Sequence, residues 1–329
     1  MASQYRRRSL MLNTIAKVAQ GNPTIITDSS SRRLKKLNVY GQSSQDGEPS
    51  VENPIPIISK EVSEIKVTGA NLFDFVTLAG GEGATFEKNG LSARIENGYL
   101  ITTGTAINDA FTNILIVYVP MDKQTIFPAG TYQLGRGDKG MSKLTIGVTT
   151  VSGKGPTNYG QAFTIDEPFY ISYFYIAYAL GQNANGEKIP LMMVNGNESI
   201  NEFEPYKEQI INITEPITLR GIPVSSGGNV TIDGQQYIAD YIDSLTGKVN
   251  RLNGYVDSYN GEEVGTIFMS TTGQLTTGAK VIYKLSQPTQ EDLPQQDQEA
   301  IRALTTYYPN TVIQTGCWNE VTYSAKRVG

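Results

Sequence analysis

Histidine is absent from the 329 residues, and cysteine occurs once, at Cys317. The first absence removes Ser-His-Asp and Cys-His nucleophilic catalysis, along with imidazole ligation of zinc. The second means that no internal disulfide can staple the fold, which must stand on packing alone and suits folding in a reducing cytosol. Charge is sparse, with charged residues at 18% against 39% hydrophobic. No uninterrupted apolar run reaches the roughly 20 residues that a membrane-spanning helix needs. Residues 1–23 also lack the unbroken apolar core and small-residue cleavage site of a secretory signal. Carboxylate-pair hydrolysis and lysine or tyrosine chemistry survive these absences, but nothing in the chain assembles them, and the expectation is that it is not an enzyme. No cofactor is expected; oxygen-ligated structural calcium stays compatible with the composition without being indicated.

What is present is turn and strand. There are 33 glycines and 15 prolines, and between Asn71 and Tyr206 strand-length pieces alternate with glycine turns: LSARIENGYLITTG, TNILIVYVP, GTYQLG, SKLTIGVTTVSG, QAFTI, PFYISYFYIAYAL and IPLMMV. Seven or eight short strands in such a span predict an antiparallel sandwich of the jelly-roll kind. Alternating runs LNVYGQ (37–42) and SEIKVTG (63–69) precede it, with an extended Pro-rich connector between them. A further β block follows from Ile210, where Asp233-Gly234 between alternating runs signals a hairpin. After Pro294, QQDQEAIRALTTYY places Ala300, Ile301 and Leu304 on one helical face, and Pro309 blocks continuation. The reading is mainly all-β: a basic arm at 1–36, a first framework part at 37–69, a sandwich at 70–206, and a second framework part at 207–329 with one short helix near 295–306.

Eight basic residues against Asp28 alone precede position 37, so this stretch carries +7 and the remainder −12, giving the net −5. A basic arm on an acidic body suits an acidic protein, anionic lipid or nucleic acid as partner, and a solvated tail is the plain alternative. Leu12, Ile15, Ala16 and Ala19 recur at helical spacing. Arg6, Arg7 and Arg8 would then give charged contacts, and Leu12 and Ile15 buried anchors.

The stretch EPFYISYFYIAYALG (167–181) holds six aromatics in fifteen positions. As a regular strand it puts Phe169, Ile171, Tyr173, Tyr175 and Ala177 on one face, and Tyr170, Ser172, Phe174, Ile176 and Tyr178 on the other. Either both faces are buried, or exposed tyrosines form a platform on which a sugar ring stacks while the hydroxyls stay wet. Tyr170, Tyr173, Tyr175 and Tyr178 are the candidates.

Other motifs weigh little. GRGDKG (135–140) has G-x-G-x-x-G spacing, but the alternating LTIGV that follows predicts a strand where a phosphate-binding fingerprint needs a helix. Asn197, Asn212 and Asn229 open glycosylation-type tripeptides that read as polar turns. The carboxylates Glu202/Glu204, Asp240/Asp243 and Glu262/Glu263 are adjacent in sequence, whereas a hydrolase needs two that converge from separate segments.

Four phrases, in order, resemble tail-associated structural proteins of phages and prophages of Gram-positive bacteria. They are LNVYGQSSQDGEPSVENPIPIIS (37–59) with EIKVTGANLFD (64–74), IPLMMVNGNESINEFEPYKE (189–208), ITLRGIPVSSGG (217–228) with ADYIDSLTGKVNRL (239–252), and QEDLPQQDQEAIRALTTYYPNTVI (290–313). The second resembles the closing strand of carbohydrate-binding-module-like jelly rolls. The resemblance implies a virion component at a tail tip, baseplate or fibre that attaches to host-surface glycan, with the sandwich inserted in a β framework. It implies a homo-oligomer, with a trimer favoured, and other tail proteins as partners, without nucleic acid or membrane insertion. The alternatives are a capsid-side fibre or decoration protein, and a carboxylate-pair cell-wall hydrolase.

Overall fold

In a computed structural model, the structure describes residues 24–27, 34, 36–48, 55–138, 140, 142–150, 152–157, 162–196, 200, 202–257, 267–271, 280–307, 310–316 and 318–322. Arg6, Arg7, Arg8, Leu12 and Ile15 lie outside the described residues, as do Cys317, Glu262 and Glu263. The protein is mainly β, and among the described residues its ladders are antiparallel except for the pairing of Ile267–Ser270 with Lys280–Asp292.

The framework is woven from both ends of the chain. In one sheet Thr24–Thr27, Asn310–Thr315, Ile58–Thr68 and Glu208–Leu219 lie side by side in that order. A second sheet runs Ile267–Ser270, Lys280–Asp292, Lys248–Asp257, Tyr241–Asp243, Lys36–Tyr40 and Trp318–Thr322. The framework therefore begins before position 37: Thr24 pairs with Ile313, and Leu34 is buried in the core. Val62, Ile65 and Val67 of the first sheet meet Leu37, Val39, Ile242 and Val249 of the second in one apolar cluster. Each such side chain contributes about 1.5–3 kcal/mol by leaving water.

Helix Gln295–Ala303 closes this core with Ile301, and Leu304 follows it inward. Its seat is made by a bulge. Asn212 pairs with Glu64 but Ile217 with Val62, so Ile213–Pro216 project from the ladder. There the Thr214 amide and hydroxyl donate to the two carboxylate oxygens of buried Asp297, at 3.1 and 2.8 Å. The Asp233-Gly234 hairpin forms as the sequence predicts: Val230–Ile232 pairs with Gln235–Ala239, and both turn residues have positive φ (50° and 83°), as a two-residue primed turn requires.

The 70–206 stretch leaves the framework on Ile58–Thr68 and returns on Glu208–Leu219, and Thr68 pairs directly with Glu208. Between these two points the chain builds three sheets around one core. In one, Gly153–Thr157, Thr145–Thr150, Phe169–Ala179 and Phe111–Tyr118 are neighbours in that order. A second holds Glu187–Pro190, Tyr99–Gly104, Leu91–Glu96 and Thr85–Lys88, and a third has Gly130–Leu134 between Ala162–Ile165 and Met193–Asn195. Aromatic edges interlock in this core: Phe75, on the short helix Phe75–Leu78, meets Phe174 at 5.0 Å and 85°, and Tyr132 meets Phe169 at 5.3 Å and 82°. The GRGDKG stretch is a hairpin loop strapped to the neighbouring strand through Asp138 and Lys188, and the strand Thr145–Thr150 follows it. No helix among the described residues is long and apolar enough to cross a membrane.

Candidate functional site

The tyrosine-rich stretch forms the strand Phe169–Ala179, at the centre of its sheet. Strict alternation fails within it. Gly147 pairs with Tyr173 and Val148 with Ile171, so Ser172 has no cross-strand partner and forms a bulge, its hydroxyl donating to the Gly147 carbonyl at 2.9 Å. One inserted residue reverses which parity points inward. Phe169 and Ile171 are core residues before the bulge; Phe174, Ile176 and Tyr178 are core residues after it.

The four candidate tyrosines separate accordingly. Tyr178 is fully buried and Tyr170 is buried at 7% exposure, so neither offers a ring face to a ligand. Burial pushes the Tyr178 phenol well above its ordinary pKa, and the neighbouring Ser142 and Thr102 hydroxyls pull against that rise. Tyr173 and Tyr175 are half-buried on the outer face, with rings 6.3 Å apart and only 18° from parallel.

The Tyr173 ring covers its neighbour on the next strand. Gly147 sits beneath Tyr173, where a Cβ would run into the ring. Tyr175 leans the same way, towards Thr145, its cross-strand partner. Burial raises the Tyr175 pKa, and the Thr145 hydrogen bond opposes that rise. Across the other ladder Tyr118 pairs with Tyr173 and Ile116 with Tyr175. Tyr118 is 72% exposed, and its ring centroid stands 5.9 Å from that of Tyr173.

The outcome is a face of three neighbouring tyrosines and an isoleucine. Sequence reading missed Tyr118, Ile116 and Gly147. The available signal was Gly147 itself, since an isolated glycine in an alternating strand marks the close approach of another group.

Of the candidate carboxylates, Asp240, Asp243, Glu202 and Glu204 fall among the described residues, the aspartates and the glutamates in separate settings. Asp240 is fully buried and accepts from the amides of Leu252 (2.8 Å) and Asn253 (2.9 Å), from the Asn253 side chain and from Arg251. It is a structural hub. Glu202 is exposed and Glu204 half-buried, on the segment that leads back to the framework. Among the described residues, no group of three or more Cys, Asp or Glu side chains is placed to hold a metal ion.

A cleft of about 320 Å³ opens where the sandwich meets the framework, between Asp122, Gln124 and Ile126 on one side and Glu64, Lys66 and Ile210 on the other. Burial raises the pKa of Glu64, against the pull of Lys66 and with the push of Glu208. Lys66 itself is held by Glu208 at 3.3 Å.

No family model, curated protein or solved structure matches this chain.

Proposed function

We propose that the protein is a structural component of a phage tail, at its tip, baseplate or fibre, and that its sandwich is a carbohydrate-binding-module-like jelly roll that attaches to host-surface glycan. The observation that carries the glycan role is the outer face formed by Tyr118, Tyr173 and Tyr175. The Tyr173 ring covers Gly147 on the adjacent strand and is close to parallel with the Tyr175 ring beside it, so the pair offers neighbouring aromatic surface to a sugar ring. The ordered phrases along the chain support the tail assignment.

Weak contacts of this kind reach useful avidity when copies are linked, which favours a symmetric oligomer, a trimer or a larger ring, within the tail. The basic residues Arg6, Arg7 and Arg8, with Leu12 and Ile15, would dock the chain onto an acidic or apolar groove of a neighbouring tail protein. A reconstruction of the whole virion tests the assignment. Symmetry-related copies at the tail are expected; an isolated single copy, or a location on the capsid, would overturn it.

A further inference from the structure

A second cleft, of about 380 Å³, lies within the framework, far along the chain from the tyrosine face. Its walls are Ser59, at the start of one framework sheet, Thr218 and Arg220 where the next strand ends, and Tyr255, Lys280 and Ile282 on two strands of the other sheet. Among the described residues, its lining holds two cations, the hydroxyls of Ser59, Thr218 and Tyr255, and no carboxylate.

The Arg220 guanidinium sits over the Tyr255 ring, 5.1 Å from its centroid, which fixes the plane of the fork. Arg220 is half-buried, yet its side chain donates no hydrogen bond to another described residue. The buried carboxylate of Asp240 acts on it through space, but its oxygens are already taken up by Leu252, Asn253, Arg251 and the Arg220 amide. Partial burial pulls the Arg220 pKa below its ordinary value, against the pull of the Asp240 and Glu291 carboxylates.

We propose that this cleft is an oxyanion-binding site in which Arg220 grips the phosphate or carboxylate group of a ligand, with Lys280 as second cation and Ser59 and Thr218 as hydroxyl donors. A planar fork matches two oxygens of either group, and aromatic stacking leaves that fork pre-oriented. The site is independent of the tyrosine face: it lies on the framework and accepts charge, whereas the tyrosine face offers rings to neutral sugar.

The test uses the full chain at constant ionic strength set with chloride. Inorganic phosphate and, separately, acetate are titrated while the Nε–Hε resonance of Arg220 is followed by NMR. Saturable displacement of that resonance is expected with at least one of the two. Saturation by phosphate alone would assign the ligand group as phosphate, and saturation by acetate alone as carboxylate. Arg220→Gln is expected to weaken binding at least tenfold in calorimetry, while Arg94→Gln, which removes an exposed arginine paired with Glu96, leaves it unchanged. Linear drift of the Arg220 resonance with both anions, or equal weakening in the two variants, would overturn the proposal.

Discussion

The ring of Tyr173 lies across the α-carbon of Gly147 on the adjacent strand, filling the space a side chain would take. Gly147 is therefore what lets Tyr173 lie flat. Gly147→Ala forces the ring up or aside, and overpacking of this kind typically costs about 1–3 kcal/mol. The expected outcome is a modest loss of thermal stability with a clear change in the tyrosine signal of near-ultraviolet circular dichroism. An unchanged tyrosine signal would show that the ring does not depend on the glycine.

Tyr178 and Tyr173 lie in one strand but should answer substitution oppositely. The Tyr178 hydroxyl is buried beside the polar side chains of Ser142, Thr102 and Glu187 without a close hydrogen bond to them, so Tyr178→Phe removes a weakly held polar atom and is expected to leave melting nearly unchanged. Tyr178→Ala instead empties a core site and should cost about 3–5 kcal/mol. Tyr173→Ala, on the outer face, is expected to leave melting nearly unchanged.

The strands, the hairpin at Asp233-Gly234 and the helix after Pro294 were legible because each is written locally, in alternation, turn residues and caps. The face of the tyrosine strand was not. Its polarity depends on Ser172 dropping out of the ladder opposite Val148 and Gly147, and a bulge is settled by the partner strand rather than by local pattern. The same limit hid the four-residue bulge at Ile213–Pro216 that seats Asp297, and the pairing of Thr24–Thr27 with a strand nearly three hundred residues on. Tyr118 was readable as a strand residue, but its place beside Tyr173 is a long-range fact.

Asp240 joins three framework strands by accepting backbone amides where ladder bonds lapse. Asp240→Ala strands those donors and leaves the Arg251 charge with Glu291 alone. A loss of about 3–5 kcal/mol is expected in denaturant unfolding, as for other buried charges whose partner is removed. A loss below about 1 kcal/mol would contradict the role of Asp240 as the hub.

Glu64 should give the framework an acid-side signature. Burial raises its pKa in the folded state above the ordinary value of 4.5, so the folded state holds this proton more tightly than the unfolded one. Its ionisation therefore works against folding, and the stability associated with the protonated form is lost as pH rises through the folded-state pKa. Glu64→Gln is expected to raise the melting temperature at pH 7, with the difference shrinking as pH falls towards 4.5. A difference that persists undiminished at low pH would point to a cause other than ionisation.

Removing residues 1–23 leaves the Thr24–Thr27 strand in place. The truncated protein is expected to fold with unchanged melting and to fail to incorporate into particles. Incorporation at normal occupancy would show that the arm is not the anchor.

The stacking role of the outer face is tested most directly by co-sedimentation of the full chain with purified host cell-wall polysaccharide. Wild type is compared with the combined Tyr118→Ala, Tyr173→Ala and Tyr175→Ala variant, whose melting is checked first. Saturable binding by wild type is expected, weakened more than tenfold in the variant, which corresponds to a loss of over about 1.4 kcal/mol from aromatic anchors. A variant that melts normally and binds as tightly as wild type would contradict it, as would a wild-type chain that never sediments with the polysaccharide.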